Sequence, residues 1–261
     1  MSNGSISVEK RGHVLLMGIN RPDKYNAFSL SMWQDLAQAY RTLEDDPELR
    51  CGVVWGHGKH FTAGLDLAQW SDKFAAGEFS APEDNGIDPL GLTTEPVSKP
   101  IVCAVQGICF TIGIELMLAT DIRIVAADVR FAQIEIKRGI YPVGGATLRL
   151  PMEAGWSNAM RYLLTGDEFD ANEAYRIGIV QEITSVGEHV ERATAIAETI
   201  AKQAPLGVYA TLRSARRTRY AAEQAAIQHL MPEMIPIMQS EDAAEGVQSF
   251  VERREAVFKG K

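Results

Sequence analysis

The chain has 261 residues, of which 46% are hydrophobic and 23% charged, and a net charge of −8. That length and balance describe an ordinary globular protein whose core needs no disulfide or metal staple, and the acidic surplus argues against a nucleic-acid backbone as the main partner. The first twelve residues carry no apolar signal-like stretch, no apolar run reaches membrane-spanning length, and Cys51, Cys103 and Cys109 form no CxxC pair, so a reduced, cytoplasmic setting without membrane association is expected.

Apolar residues over 6–10 and 13–20, divided by Arg11-Gly12, predict a hairpin. Asn20-Arg21-Pro22-Asp23 breaks it. Ser29 then caps a predicted helix over 30–45, with Met32, Leu36, Ala39, Tyr40 and Leu43 on one face. A short buried strand over 51–55 is followed by the loop Gly56 to His60, and Phe61 to Leu67 enters another element. Residues 71–94 mix Gly, Pro, Asp and Glu with isolated apolar residues, as in a mobile loop or helical lid. The pattern then predicts a strand ending at Gln106-Gly107, a helix over 111–119, a strand over 121–126 and a helix over 146–154. Beyond residue 156 it turns helical, with segments at 157–164, 170–177, 187–203, 205–218, 220–231 and 240–258. The recurring strand–turn–helix order predicts an α/β fold of stacked ββα units over residues 1–200, with a helical region over 201–261.

Several chemistries lack their motifs. There is no phosphate loop, no GxGxxG, no HExxH and no Gly-x-Ser-x-Gly elbow. His13, His57 and His60 lack metal-ligand spacing and read as loop or surface residues, and Arg213, Arg216, Arg217 and Arg219 read as a solvated helix face, with an interior role contacting phosphates as the alternative. What stands out is a pair of carboxylates: Glu115, closing Gly107 to Glu115, and Glu135, closing the strand-like Val129 to Glu135. Two carboxyls around one small space can divide acid and base work. Ile112 and Gly113 open the helix that carries Glu115, and the first amides of a helix have no internal acceptor. Leu65 follows a turn of small residues, where its amide can face a ligand oxygen while Asp66 fixes the turn.

Taken together, the motifs resemble the crotonase (enoyl-CoA hydratase/isomerase) superfamily over nearly the whole chain. They are Asn20 to Ala27; Gly58 to Leu67; Lys99-Pro100 with Gln106-Gly107; Gly113 to Leu116 with Asp121 to Arg123; Arg130-Phe131; Pro142 to Thr147 with Leu150-Pro151; and Glu241 to Arg254. The resemblance implies a spiral of ββα units with a C-terminal helical trimerisation region, assembled as trimers or hexamers. It implies an acyl-CoA substrate, with coenzyme A as part of that substrate and no separate cofactor. By motif position the thioester oxygen would lie between the amides of Leu65 and Ile112, Glu115 would activate water and Glu135 would serve the α-proton. Ala27, Ala63, Asp66 and Leu67 match segments lining coenzyme A, and Phe250 and Arg253 match residues reaching a neighbouring subunit's nucleotide; a helical stripe of Val247, Phe250, Val251 and Val257 would alternatively be plain core. The implied reaction is hydration of a 2-enoyl-CoA, with a Δ3,Δ2-enoyl-CoA isomerase or other thioester lyase, and a non-catalytic acyl-CoA binder, as alternatives. Three departures mark this chain: Thr111-Ile112-Gly113 where the family has three glycines, Leu65 where alanine is common, and Val143 where glycine is usual.

Overall fold

The computed structural model describes residues 3–75, 79 and 81–261. Strand β1 (Ser5–Arg11) turns at Gly12 into β2 (Val14–Asn20), the predicted hairpin. A short 3-10 turn at Pro22–Lys24 precedes α1 (Leu30–Asp45), where Ser29 accepts from the Met32 amide and all five predicted face residues are buried. Strand β3 (Cys51–Gly56) follows, then α2 (Leu67–Ala75). Helix α2 fills the start of the predicted loop or lid over 71–94; residues 76–78 and 80 of that segment lie outside the described residues.

Strands β4 (Ile101–Val105) and β5 (Ile108–Phe110) lead into α3 (Ile112–Leu118), and β6 (Ile122–Ala126) and β7 (Arg130–Ala132) into a 3-10 turn at Glu135–Arg138. Helices α4 (Ala146–Ala154) and α5 (Trp156–Leu163), strand β8 (Phe169–Asp170), helix α6 (Ala171–Arg176) and strand β9 (Glu182–Thr184) complete the strand-bearing part. Helices α7 (His189–Ala201), α8 (Pro205–Met238) and α9 (Glu241–Glu252) close the chain. The segments predicted at 205–218 and 220–231 form one helix, because no glycine or proline interrupts the chain at their junction.

The large sheet runs β1-β2-β3-β4-β6-β9, parallel except for the β1–β2 hairpin, and β5-β7-β8 form a second, smaller sheet. Its central strands are buried on both faces, as parallel strands under helices are. Val14, Leu16, Val53, Val102 and Ile124 pack against Ala193, Ala197 and Ala201 of α7. Leu15, Met17, Val54, Cys103 and Val125 face the main core with α1. All three cysteines are buried free thiols. No helix among the described residues is long and apolar enough to cross a membrane.

Helix α9 lies directly on the Glu135–Arg138 turn because two glycines permit it. A β-carbon on Gly246 would collide with the Arg138 backbone, and one on Gly139 with the backbone of Asp242 and Ala243. Gly246→Ala gains about 0.5–1 kcal/mol of helix propensity, but overpacking against rigid backbone costs about 1–3 kcal/mol. The expected net result is a lower Tm by calorimetry, at roughly 2–4 °C per kcal/mol, and an unchanged or higher Tm would show that α9 can shift freely.

Candidate active site

The segment 61–66 is stitched into place from both sides. Thr62 donates to Ile108 O at 3.1 Å and accepts from Phe110 N at 3.1 Å, tying it to β5. On its other side, Phe28 N donates to Gly64 O and Asp66 N to Phe28 O, both at 2.9 Å. In a parallel ladder the residue between two bonded positions turns its own amide to the opposite side. Leu65 N–H therefore points away from Phe28, on the side where β5 lies. The buried Asn26 supports this arrangement, donating to His57 O and His60 O and accepting from Arg21 N.

Strand β5 runs into Thr111, which holds φ +52° and ψ −118° before α3 begins. This region suits glycine, and a β-branched residue there is strained. Ile112 N heads the helix. Among the described residues, neither Leu65 N nor Ile112 N donates to a protein acceptor. The residues immediately before these amides meet: a β-carbon on Gly64 would lie 2.6 Å from Thr111 Oγ1.

Glu115 sits one turn into α3 with its carboxyl buried. Its Oε1 accepts from Ala146 N at 3.1 Å, and the Gly144 backbone lies against the carboxylate and favours its charge. Gly144 must lack a side chain, since a β-carbon would collide with the Glu115 carboxylate and lie 3.0 Å from Ile112 Cδ1. Burial raises the Glu115 pKa above the carboxylate range, while the Ala146 amide, the Gly144 backbone and the Arg149 guanidinium oppose that rise. Glu135 opens the 3-10 turn after β7. Its Oε2 is sealed from solvent without a hydrogen-bond partner among the described residues. Burial, with the facing Glu115 charge as second cause, pushes its pKa far up. The fold thus brings both glutamates into one electrostatic unit, from β5–α3 on one side and β7 on the other.

Ala27, Ala63, Asp66 and Leu67 lie along the same stitched segment. Arg21 Nη1 donates to Asp66 Oδ2 at 2.8 Å and to Ala27 O at 3.1 Å, and Ala63 N donates to Tyr25 O. Phe250 on α9 and Arg253 just past its end are both exposed, and Arg138 of the turn that Glu135 opens stacks over the Phe250 ring at 4.5 Å. The plain-core alternative for the Val247, Phe250, Val251 and Val257 stripe is corrected, since all four are exposed in the single chain. Trp70 and Leu90 are packed in the core, with Phe74 and Leu92 partly buried against it.

Arg149, which sequence reasoning passed over, links this site to the C-terminal helices. Its Nε and Nη2 donate to Glu223 of α8 at 3.2 and 3.0 Å, and Nη2 to Leu90 O at 2.7 Å. The available signal was its spacing, one turn after Ala146 on a predicted helix. The arginine cluster also needs correction: Arg216 binds Asp121 and Val97 O, and Arg219 binds Glu153, Glu223 and Leu118 O, so neither belongs to a purely solvated face.

Two sheets wound with helices into a strand–strand–helix spiral, enclosing this site, are the crotonase fold. Residues 9–261 match the enoyl-CoA hydratase/isomerase family, and the chain belongs to it. It is 34% identical over 259 residues to the enoyl-CoA hydratase EchA19 of Mycobacterium tuberculosis, covering 97% of this chain and 96% of that protein. It is also 34% identical over 265 residues to a carnitinyl-CoA dehydratase of Salmonella typhimurium, covering 98% and 99%. A crystal structure of a probable enoyl-CoA hydratase/isomerase from Mycobacterium abscessus is 50% identical, with a TM-score of 0.79 and coverage of 98% and 99%. That of a carnitinyl-CoA hydratase from Mycobacterium avium is 32% identical, with a TM-score of 0.89 and the same coverage.

Proposed function

We propose that this crotonase-type enzyme adds water across the double bond of a 2-enoyl-CoA to give a 3-hydroxyacyl-CoA. The observation that carries the reading is the unequal pair of buried carboxyls. Glu115 accepts a main-chain hydrogen bond from Ala146 and has the Gly144 backbone and a guanidinium nearby, all favouring its anion, whereas the Glu135 Oε2 has no partner among the described residues and faces a negative charge. Two interacting carboxyls so placed share one charge. Glu115 is then the base that takes a proton from water attacking the β-carbon, and Glu135 the acid that protonates the α-carbon. The Leu65 and Ile112 amides receive the thioester oxygen as it gains enolate charge; a single such donor contributes about 3–4 kcal/mol to the transition state.

The reaction balances without a metal or redox cofactor. Ala27, Ala63, Asp66 and Leu67 would line coenzyme A, and Phe250 and Arg253 would reach the nucleotide of a neighbouring copy in a trimer or hexamer built through residues 201–261. Relatives named as hydratase and dehydratase support water chemistry at this site. One observation favours the Δ3,Δ2-isomerase instead: the Ile112 side chain, where the family has glycine, ends 3.0 Å from the β position of Gly144, on the side of the Glu115 carboxylate, and takes volume that water would otherwise have.

The test is turnover of a panel of 2-enoyl and 3-enoyl thioesters, with products identified by mass spectrometry. A mass gain of one water on crotonyl-CoA or a longer 2-enoyl-CoA is expected. Shift of the double bond without hydration would replace this reading by the isomerase, and tight retention without turnover by a binding protein.

A further inference from the structure

Thr111 holds a conformation that glycine would adopt without strain, and its hydroxyl is placed where that conformation has a use. At ψ −118° the β-carbon of Thr111 and the N–H of Ile112 are nearly eclipsed, so side chain and amide leave the backbone on the same side. The hydroxyl continues in the direction of the neighbouring segment. Oγ1 is 2.6 Å from the β position of Gly64, whereas the Thr111 β-carbon is 3.9 Å from it, so the oxygen is the leading atom. Gly64 immediately precedes Leu65, whose amide also turns to this side. Thr111 is only half-buried, and its Oγ1 makes no hydrogen bond among the described residues.

We propose that the Thr111 hydroxyl is a third donor to the thioester oxygen, beside the amides of Leu65 and Ile112. The inference rests on the hydratase reading for the identity of that oxygen. A side-chain donor differs from the two amides in being able to rotate, so it can tighten as charge grows on the oxygen. A hydrogen bond to a charged acceptor exceeds one to a neutral acceptor, so the hydroxyl acts on kcat more than on KM.

The experiment compares Thr111→Val, Thr111→Gly and Thr111→Ser. Valine keeps the shape and removes the donor. Glycine removes the donor together with the backbone strain, and so folds without that penalty. Two readouts are taken: steady-state kinetics on the hydrated 2-enoyl-CoA, and the absorption red shift of 4-dimethylaminocinnamoyl-CoA on binding, which reports carbonyl polarisation. Valine and glycine are expected to lower kcat about 10- to 100-fold with KM little changed and to reduce the red shift. Serine is expected to recover most of both losses.

Full kcat and full red shift in Thr111→Val and Thr111→Gly would overturn the proposal. So would equal losses in all three variants, because serine keeps the hydroxyl and would then lose as much as the variants that lack it. A wild-type enzyme that polarises the cinnamoyl thioester but hydrates no enoyl-CoA would overturn the hydratase reading and leave the Thr111 comparison to be decided by the spectral shift.

Discussion

Glu115→Gln and Glu135→Gln are each expected to lower kcat for 2-enoyl-CoA hydration by about 10²–10⁴-fold or more. Glutamine preserves the volume of each side chain, so binding, read as KM, should change far less. Single-turnover kinetics check this, and undiminished hydration by either variant would remove that residue from its proposed role. The pH profiles separate the roles. With the proposed roles, the acid limb of wild-type kcat/KM is expected to follow ionisation of Glu115, which burial displaces above the usual carboxylate range, and the alkaline limb deprotonation of Glu135, displaced well above it. Residual activity in Glu115→Gln should lose the acid limb, and in Glu135→Gln the alkaline one. Stability should move the other way. A carboxyl whose pKa is higher folded than unfolded opposes folding above its unfolded pKa and does not below it. Glu135→Gln should therefore hold or raise Tm at neutral pH, with the difference vanishing below about pH 4.

Much of this site could be read before any coordinates because its parts are local. The hairpin at Arg11-Gly12 and the Ser29-capped helix follow from short-range patterns, and Glu115 falls one turn into a helix predicted over 111–119 and found at Ile112–Leu118. The small sheet resisted reading, since strands of two or three residues such as Phe169–Asp170 are too short to show alternation. Arg216 and Arg219 looked solvated because their partners Asp121 and Glu153 lie 95 and 66 positions away, and opposite charge at such separations leaves no local trace. The Glu115–Ala146 bond is likewise tertiary. Family motifs named both segments, but only the fold shows an amide of one closing on the carboxylate of the other.

Arg149→Met is expected to lose about 3–5 kcal/mol of stability, because it leaves Glu223 buried with half its support. Both members of the pair are almost fully buried. Burial pushes the Glu223 pKa up, yet Arg149 and Arg219 together hold it below the usual range. A folded pKa below the unfolded one stabilises the fold above the unfolded pKa and ceases to as pH falls through the folded value. The stability gap between wild type and Arg149→Met, measured by denaturant unfolding, should therefore narrow on acidification. The double variant Arg149→Met/Glu223→Gln should recover much of the loss, since no buried charge is then left short of a partner. Activity gives an independent reading. Arg149 opposes the burial-driven rise in the Glu115 pKa, so its removal should move the acid limb of kcat/KM to higher pH. Glu223→Gln leaves the guanidinium less neutralised and should move the same limb to lower pH. The surrounding charges, Asp88, Asp121, Arg216 and Arg219 around the adjoining cavity of ≈ 70 Å³, are common to both variants. Opposite displacements would establish that α8 tunes the proposed base, Glu115, through Arg149, whereas shifts of the same sign would reduce Arg149 to a structural clamp.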